Sequence, residues 1–112
     1  MAPPSKLAIA TSSVLRLVKE EASYHKEQEQ QEARIKKLET NTEDENAEYQ
    51  LKQERQALQE TKNIFPSLQT KITQAVERLE EQLEAGGDAP IQEVAKAQEA
   101  ITASKKSLGV AA

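Results

Sequence analysis

The single histidine, His25, is the side chain best suited to acid–base or metal chemistry near neutral pH, and its surroundings argue against both. Its neighbours Glu21, Tyr24, Lys26 and Glu29 form no HExxH element and no repeated ligand spacing. The absence of cysteine removes thiolate ligands, sulfur nucleophiles and disulfides. The 19 Asp and Glu residues could work as acid and base only where a pocket shifted their protonation. Gly86-Gly87 has too few glycines for a dinucleotide or P-loop cradle and follows no strand, so it is a turn. These residues predict no enzyme, no cofactor, no metal site and no small-molecule substrate.

Charge narrows the partners further. The chain carries a net charge of -4 with both signs mixed along it, and its only adjacent basic pairs are Lys36-Lys37 and Lys105-Lys106. A nucleic-acid surface needs a basic face interleaved with aromatics, and a membrane-surface helix needs Lys and bulky aromatics on opposite sides; neither pattern occurs. No apolar run approaches the length of a bilayer crossing, and Met1 to Lys6 lack the apolar core of a signal peptide. The expectation is a soluble, cytoplasmic protein that works by contact.

Contact must come from helix faces. With 112 residues, 30% of them charged, one Phe, two Tyr and no Trp, the chain cannot fill a thick core. Strong helix formers dominate nearly every segment. The predicted class is all-α: a single domain, residues 1–112, folded as an antiparallel three-helix bundle with coiled-coil-like packing. Helices are expected at about 6–39, 43–85 and 90–108, with flexible ends.

In the first helix, Val14, Leu17, Glu21, Tyr24, Gln28, Gln31, Ile35 and Leu38 hold the seam positions. Its start is open between a cap at Ser5 and one within Thr11-Ser12-Ser13. Thr42 with Glu45 reads as a capping box for the second helix. There Leu51, Leu58, Phe65, Ile72 and Leu79 return every seven positions, widened by Leu68, Ala75, Val76 and Leu83. The frame passes through Pro66 without a phase shift, which favours a bend near Pro66 over a break, with a short joint at Asn63 to Phe65 as the alternative. Gly86 and Gly87 are expected to provide a left-handed exit, with Asp88 or Ala89 as cap and Pro90 in the first turn of the third helix. That helix would bury Ile91, Val94, Ala97, Ile101, Ser104 and Leu108, stop at Gly109, and leave Val110 to Ala112 as a tail.

Lengths then distribute the packing. At about 1.5 Å per residue the middle helix is about 60 Å long and the third under about 30 Å. Three helices should overlap at one end and only two, roughly residues 21–62, at the other. The two-helix end has Glu21, Gln28, Gln31, Glu54 and Thr61 in its seam, and would leave Ile35, Leu51 and Leu58 open on one side for a second copy or a client.

The run Val14-Leu15-Arg16-Leu17-Val18-Lys19-Glu20, followed by Tyr24, Glu27 and Gln31-Glu32, resembles the first-helix signature of the tubulin-binding cofactor A family. Tyr49, Leu51-Lys52, Gln53, Leu58, Glu60-Thr61 and Ile64-Phe65-Pro66 resemble its second-helix pattern, in which a proline inside the helix follows a Leu-x-Glu-Ser/Thr element. The likeness is strongest from Val14 to Leu68 and only architectural in the third helix. It implies a bundle that captures quasi-native β-tubulin monomers released from the chaperonin and stabilises them for αβ-tubulin assembly, in the cytoplasm with the microtubule cytoskeleton. Carried over residue by residue, it assigns partner contact to Arg16, Lys19, Glu20, Tyr24, Glu27, Gln31, Glu32, Lys52, Gln53 and Glu60, and the helix bend to Pro66. The competing roles are packing for Tyr24 and solvated helix surface for the charged residues. Relatives include monomers and a dimer, so a homodimer stays open. The alternative function is a structural coiled-coil module, a homodimerisation or spacer element without tubulin binding, whose polar seam sets register.

Overall fold

Ser5 decides where the first helix begins. Its Oγ accepts the Ala8 N–H at 3.0 Å and its carbonyl accepts Ile9 N–H at 3.0 Å, the geometry of an N-cap, and α1 runs from Lys6 to Thr40. The later start fails because Thr11 satisfies its own hydroxyl inside the helix, donating to the Leu7 carbonyl at 2.9 Å. The computed structural model describes residues 4–41 and 45–109; beside α1 it holds α2 (Ala47–Ala85) and α3 (Ile91–Ser107), with no strand among the described residues. The expected all-α, three-helix class holds.

The second helix starts later than the expected residue 43. Glu45 and Asn46 form a turn, and the Asn46 carbonyl accepts the first helical bond, from Gln50 N–H at 2.9 Å. Asn is a strong N-cap residue, which places the boundary at Ala47. Thr42, half of the expected capping box, lies outside the described residues, as does the expected tail from Val110 to Ala112. Pro66 sits inside a continuous α2, so the helix is not broken there.

The turn after α2 differs from expectation in two respects. Neither Gly86 nor Gly87 has positive φ; the left-handed glycine is Gly109, at φ 74, where it ends α3. Gly86 serves close approach instead, since a Cβ there would stand 3.0 Å from the Gln82 carbonyl oxygen that accepts its own N–H. Pro90, not Asp88 or Ala89, caps α3: with φ -57 and ψ 142 it stays outside the helix while its carbonyl accepts the Glu93 and Val94 N–H groups at 3.0 and 3.1 Å. A proline has no N–H to lose at that position.

The chain divides into two compact units, one of Met1–Glu21 with Leu68–Ala112 and one of Ala22–Ser67. The first contains segments of all three helices, the second only α1 and α2, close to the predicted two-helix stretch. In the first unit α1 and α3 run parallel, tied by Ser5 Oγ to Glu93 Oε1 at 2.6 Å and Ser107 Oγ to Glu21 Oε1 at 2.7 Å. Its interior holds Leu7, Val14, Leu68, Ile72, Val76 and Leu79 with small residues Ala75, Ala97, Ala100 and Ser104. Ile91 was expected there and is 87% exposed. It precedes Glu93, the partner of Ser5, so α1 has not yet begun at its level.

In the second unit α1 and α2 are antiparallel, with Arg34 beside Glu54 and His25 beside Phe65. Its buried residues are Ile35, Ala47, Gln31 and Thr61, a thin and half-polar interior. Ile35 was expected to be open on one side and is buried; Leu51 and Leu58 are half-buried.

Candidate partner-binding surfaces

On α1 the polar stripe follows from the heptad frame. Within the first unit Arg16, Lys19 and Glu20 are exposed, while the seam side of the same turns buries Val14 and Glu21. Within the second unit Glu27 and Glu32 are exposed and Tyr24 is half-buried. Gln31, also among the residues assigned to partner contact, is 3% exposed and lies in the hairpin interior, as its seam position requires. Lys52, Gln53 and Glu60 are exposed on α2, and Pro66 is exposed as well. The assigned residues are therefore spread over both units.

Polar neighbours hold part of this surface. Glu32 Oε1 accepts from Gln28 Nε2 at 2.9 Å, and Gln53 Nε2 donates to the Tyr49 hydroxyl at 3.0 Å. Arg34 Nε meets Glu54 Oε1 at 3.0 Å with both side chains partly exposed, a pair worth at most about 1 kcal/mol. These bonds orient side chains more than they stabilise the hairpin.

The concavities are shallow. In the second unit a groove of about 420 Å³ between the end of α1 and the start of α2 is lined by Arg34, Lys37, Leu38, Gln50, Gln53 and Glu54. A neighbouring hollow of about 620 Å³ runs along α2 past Tyr49, Lys52 and Arg55. In the first unit, grooves of about 280 and 500 Å³ flank α1, one beside Ile9 and Ala75, the other beside Leu15 and Lys96. Such surfaces suit helices or extended segments of a protein partner. Among the described residues no three of His, Cys, Asp and Glu converge as metal ligands, and no helix is long and apolar enough to cross a membrane.

Three features escaped the residue-by-residue reading. Tyr49 is 65% exposed, an exposed large hydrophobic side chain within the hairpin. Its outward position follows from the helix frame, since it stands about 200° round the helix from the seam residue Leu51. His25 stacks on Phe65 with ring centroids 4.4 Å apart, so the exposed imidazole packs against α2. Glu21, expected in the seam of the two-helix end, lies instead in the first unit and accepts a hydrogen bond from Ser107 of α3.

Three helices that present exposed charge of both signs beside shallow grooves define an all-α helical protein. Comparison with known proteins makes this specific. The family model for tubulin binding cofactor A matches residues 2–101. The tubulin-specific chaperone A of Saccharomyces cerevisiae is 35% identical over 106 residues, 94% of this chain and 95% of the yeast protein. That of Mus musculus is 34% identical over 83 residues, 74% of each chain. Among solved structures, a β-tubulin-binding post-chaperonin cofactor superposes with a TM-score of 0.82 at 32% identity, covering 94% of this chain and 99% of that one. Tubulin folding cofactor A from Arabidopsis thaliana gives 0.76 at 28% identity, covering 89% and 92%. The chain belongs to the tubulin binding cofactor A family, a family of chaperones and not of enzymes.

Proposed function

We propose that this chain is a β-tubulin-folding cofactor that captures quasi-native β-tubulin monomers released from the chaperonin and stabilises them for αβ-tubulin assembly. The observation that carries this reading is its near full-length similarity to a solved β-tubulin-binding cofactor. The exposed positions Arg16, Lys19, Glu20, Glu27, Glu32, Lys52, Gln53 and Glu60, with half-buried Tyr24, supply charge and hydrogen bonding to the client. The half-buried Leu51 and Leu58 and the exposed Tyr49 supply apolar area. Complementary charge speeds encounter and apolar area holds the complex, so binding depends on salt without being abolished by it. The work belongs in the cytoplasm, beside the microtubule cytoskeleton.

The test is co-purification of the intact chain with chaperonin-released β-tubulin at low salt. Retention of β-tubulin well above that by an unrelated helical bundle supports the proposal. A chain that pairs with itself through residues 22–67 and retains no tubulin is a spacer, and the proposal fails.

A further inference from the structure

Ser107 is the last residue of α3, and its hydroxyl donates to Glu21 Oε1 on α1 at 2.7 Å, both within the first unit. Glu21 is 2% exposed and Ser107 half-buried, so the hydroxyl stands at the rim with the carboxylate behind it. The helix ends at once: Leu108 caps it, and Gly109 turns away at φ 74. Last turns open most readily, which brings this hydroxyl within reach of an enzyme. Exposed Lys105 and Lys106 directly precede it. Ser104 is the other serine of this turn; it is fully buried and donates to the Ile101 carbonyl at 2.6 Å.

We propose that Ser107 is a phosphorylation site for a protein kinase with an acidic substrate groove, and that the phosphate releases the last turn of α3 from Glu21. The kinase transfers the γ-phosphoryl group of a nucleoside triphosphate. A bond forms between Ser107 Oγ and phosphorus, the bond from that phosphorus to the bridging oxygen breaks, the nucleoside diphosphate leaves, and the hydroxyl proton passes to the kinase's base. The lysine pair complements the acidic groove. Esterified Oγ has no proton to donate, and the phosphate brings a charge of about -2 to a carboxylate that the hydroxyl held in contact. The carbonyl end of α3 repels the same charge. Lys105 and Lys106 do not neutralise it along the contact, because successive helix residues point about 100° apart.

The intact chain is incubated with a basic-directed kinase and ATP, the site is mapped by mass spectrometry, and amide hydrogen exchange is followed over residues 100–108. One phosphate appears on Ser107 and none in Ser107→Ala, and exchange in that turn accelerates about tenfold or more. Unphosphorylated Ser107→Ala loses only the hydrogen bond and accelerates less. Glu21→Gln keeps an acceptor without the charge and shrinks the response to phosphate. Should that variant not fold, modified wild type against Ser107→Ala carries the comparison. Absence of phosphate from Ser107 in the intact chain, or phosphate without faster exchange in the turn, overturns the proposal.

Discussion

Gln31 brings an amide into the second unit, where its Oε1 is buried without a hydrogen-bond partner among the described residues. A buried acceptor left unmatched costs about 1–3 kcal/mol, more than a matched one returns. Gln31→Leu keeps the size, removes the polar atom, and should raise the urea midpoint by an equivalent of about 1 kcal/mol. A lowered midpoint would mean that the amide is satisfied in solution. The heptad frame located Gln31 in the seam, but whether an amide there finds a donor depends on the facing helix. The two turn glycines make a second contrast at this scale. Gly86→Ala sets a Cβ 3.0 Å from a backbone carbonyl oxygen and should destabilise the chain, whereas Gly87→Ala meets nothing within 4 Å and should add about 0.4–1 kcal/mol through the unfolded state. Paired thermal melts read the difference directly. Equal shifts would show that the Gln82 carbonyl moves aside freely.

Pro66 poses the question for a whole helix. It is exposed within α2, so replacing it opens no cavity, and Ala would restore an N–H for the Lys62 carbonyl. Relief of about 3 kcal/mol from the missing bond and ring clash, less about 0.4–1 kcal/mol of lost chain restriction, leaves Pro66→Ala more stable by about 2 kcal/mol. Denaturant unfolding measures this, and an unchanged or lower stability would show that α2 already accommodates the ring at no cost. The uninterrupted frame from Leu58 through Phe65 to Ile72 made the continuity of α2 legible in the sequence. The start of α2 was not, because a weak capping box competed with an Asn four residues on. The same frame separates the two units energetically. Large aliphatic side chains fill the first, while the second buries Ile35 and Ala47 beside Gln31 and Thr61. Amides between residues 22 and 67 should therefore exchange faster than those of residues 68–82. Uniform protection along α2 would contradict that.

Over the whole molecule, nothing in the composition marks one end as the binding end: the net charge of -4 is mixed along the chain, and the residues carried over from the family lie in both units. Two paired reversals distinguish the contributions. Arg16→Glu with Lys19→Glu alters the first unit, and Lys52→Glu with Glu60→Lys alters the second while keeping its net charge. All four side chains are exposed, so each pair should leave folding within about 1 kcal/mol of wild type. If the client meets both units, each pair weakens β-tubulin capture at low salt, and the deficit narrows as salt rises, since exposed charges act mainly on the encounter rate. If only the second unit meets the client, the Lys52 and Glu60 pair alone does so, and its charge-neutral design rules out a general field effect. Capture at wild-type levels by both variants at low salt would remove electrostatic contact from the account. The half-buried leucines and Tyr49 would then be left to carry the binding.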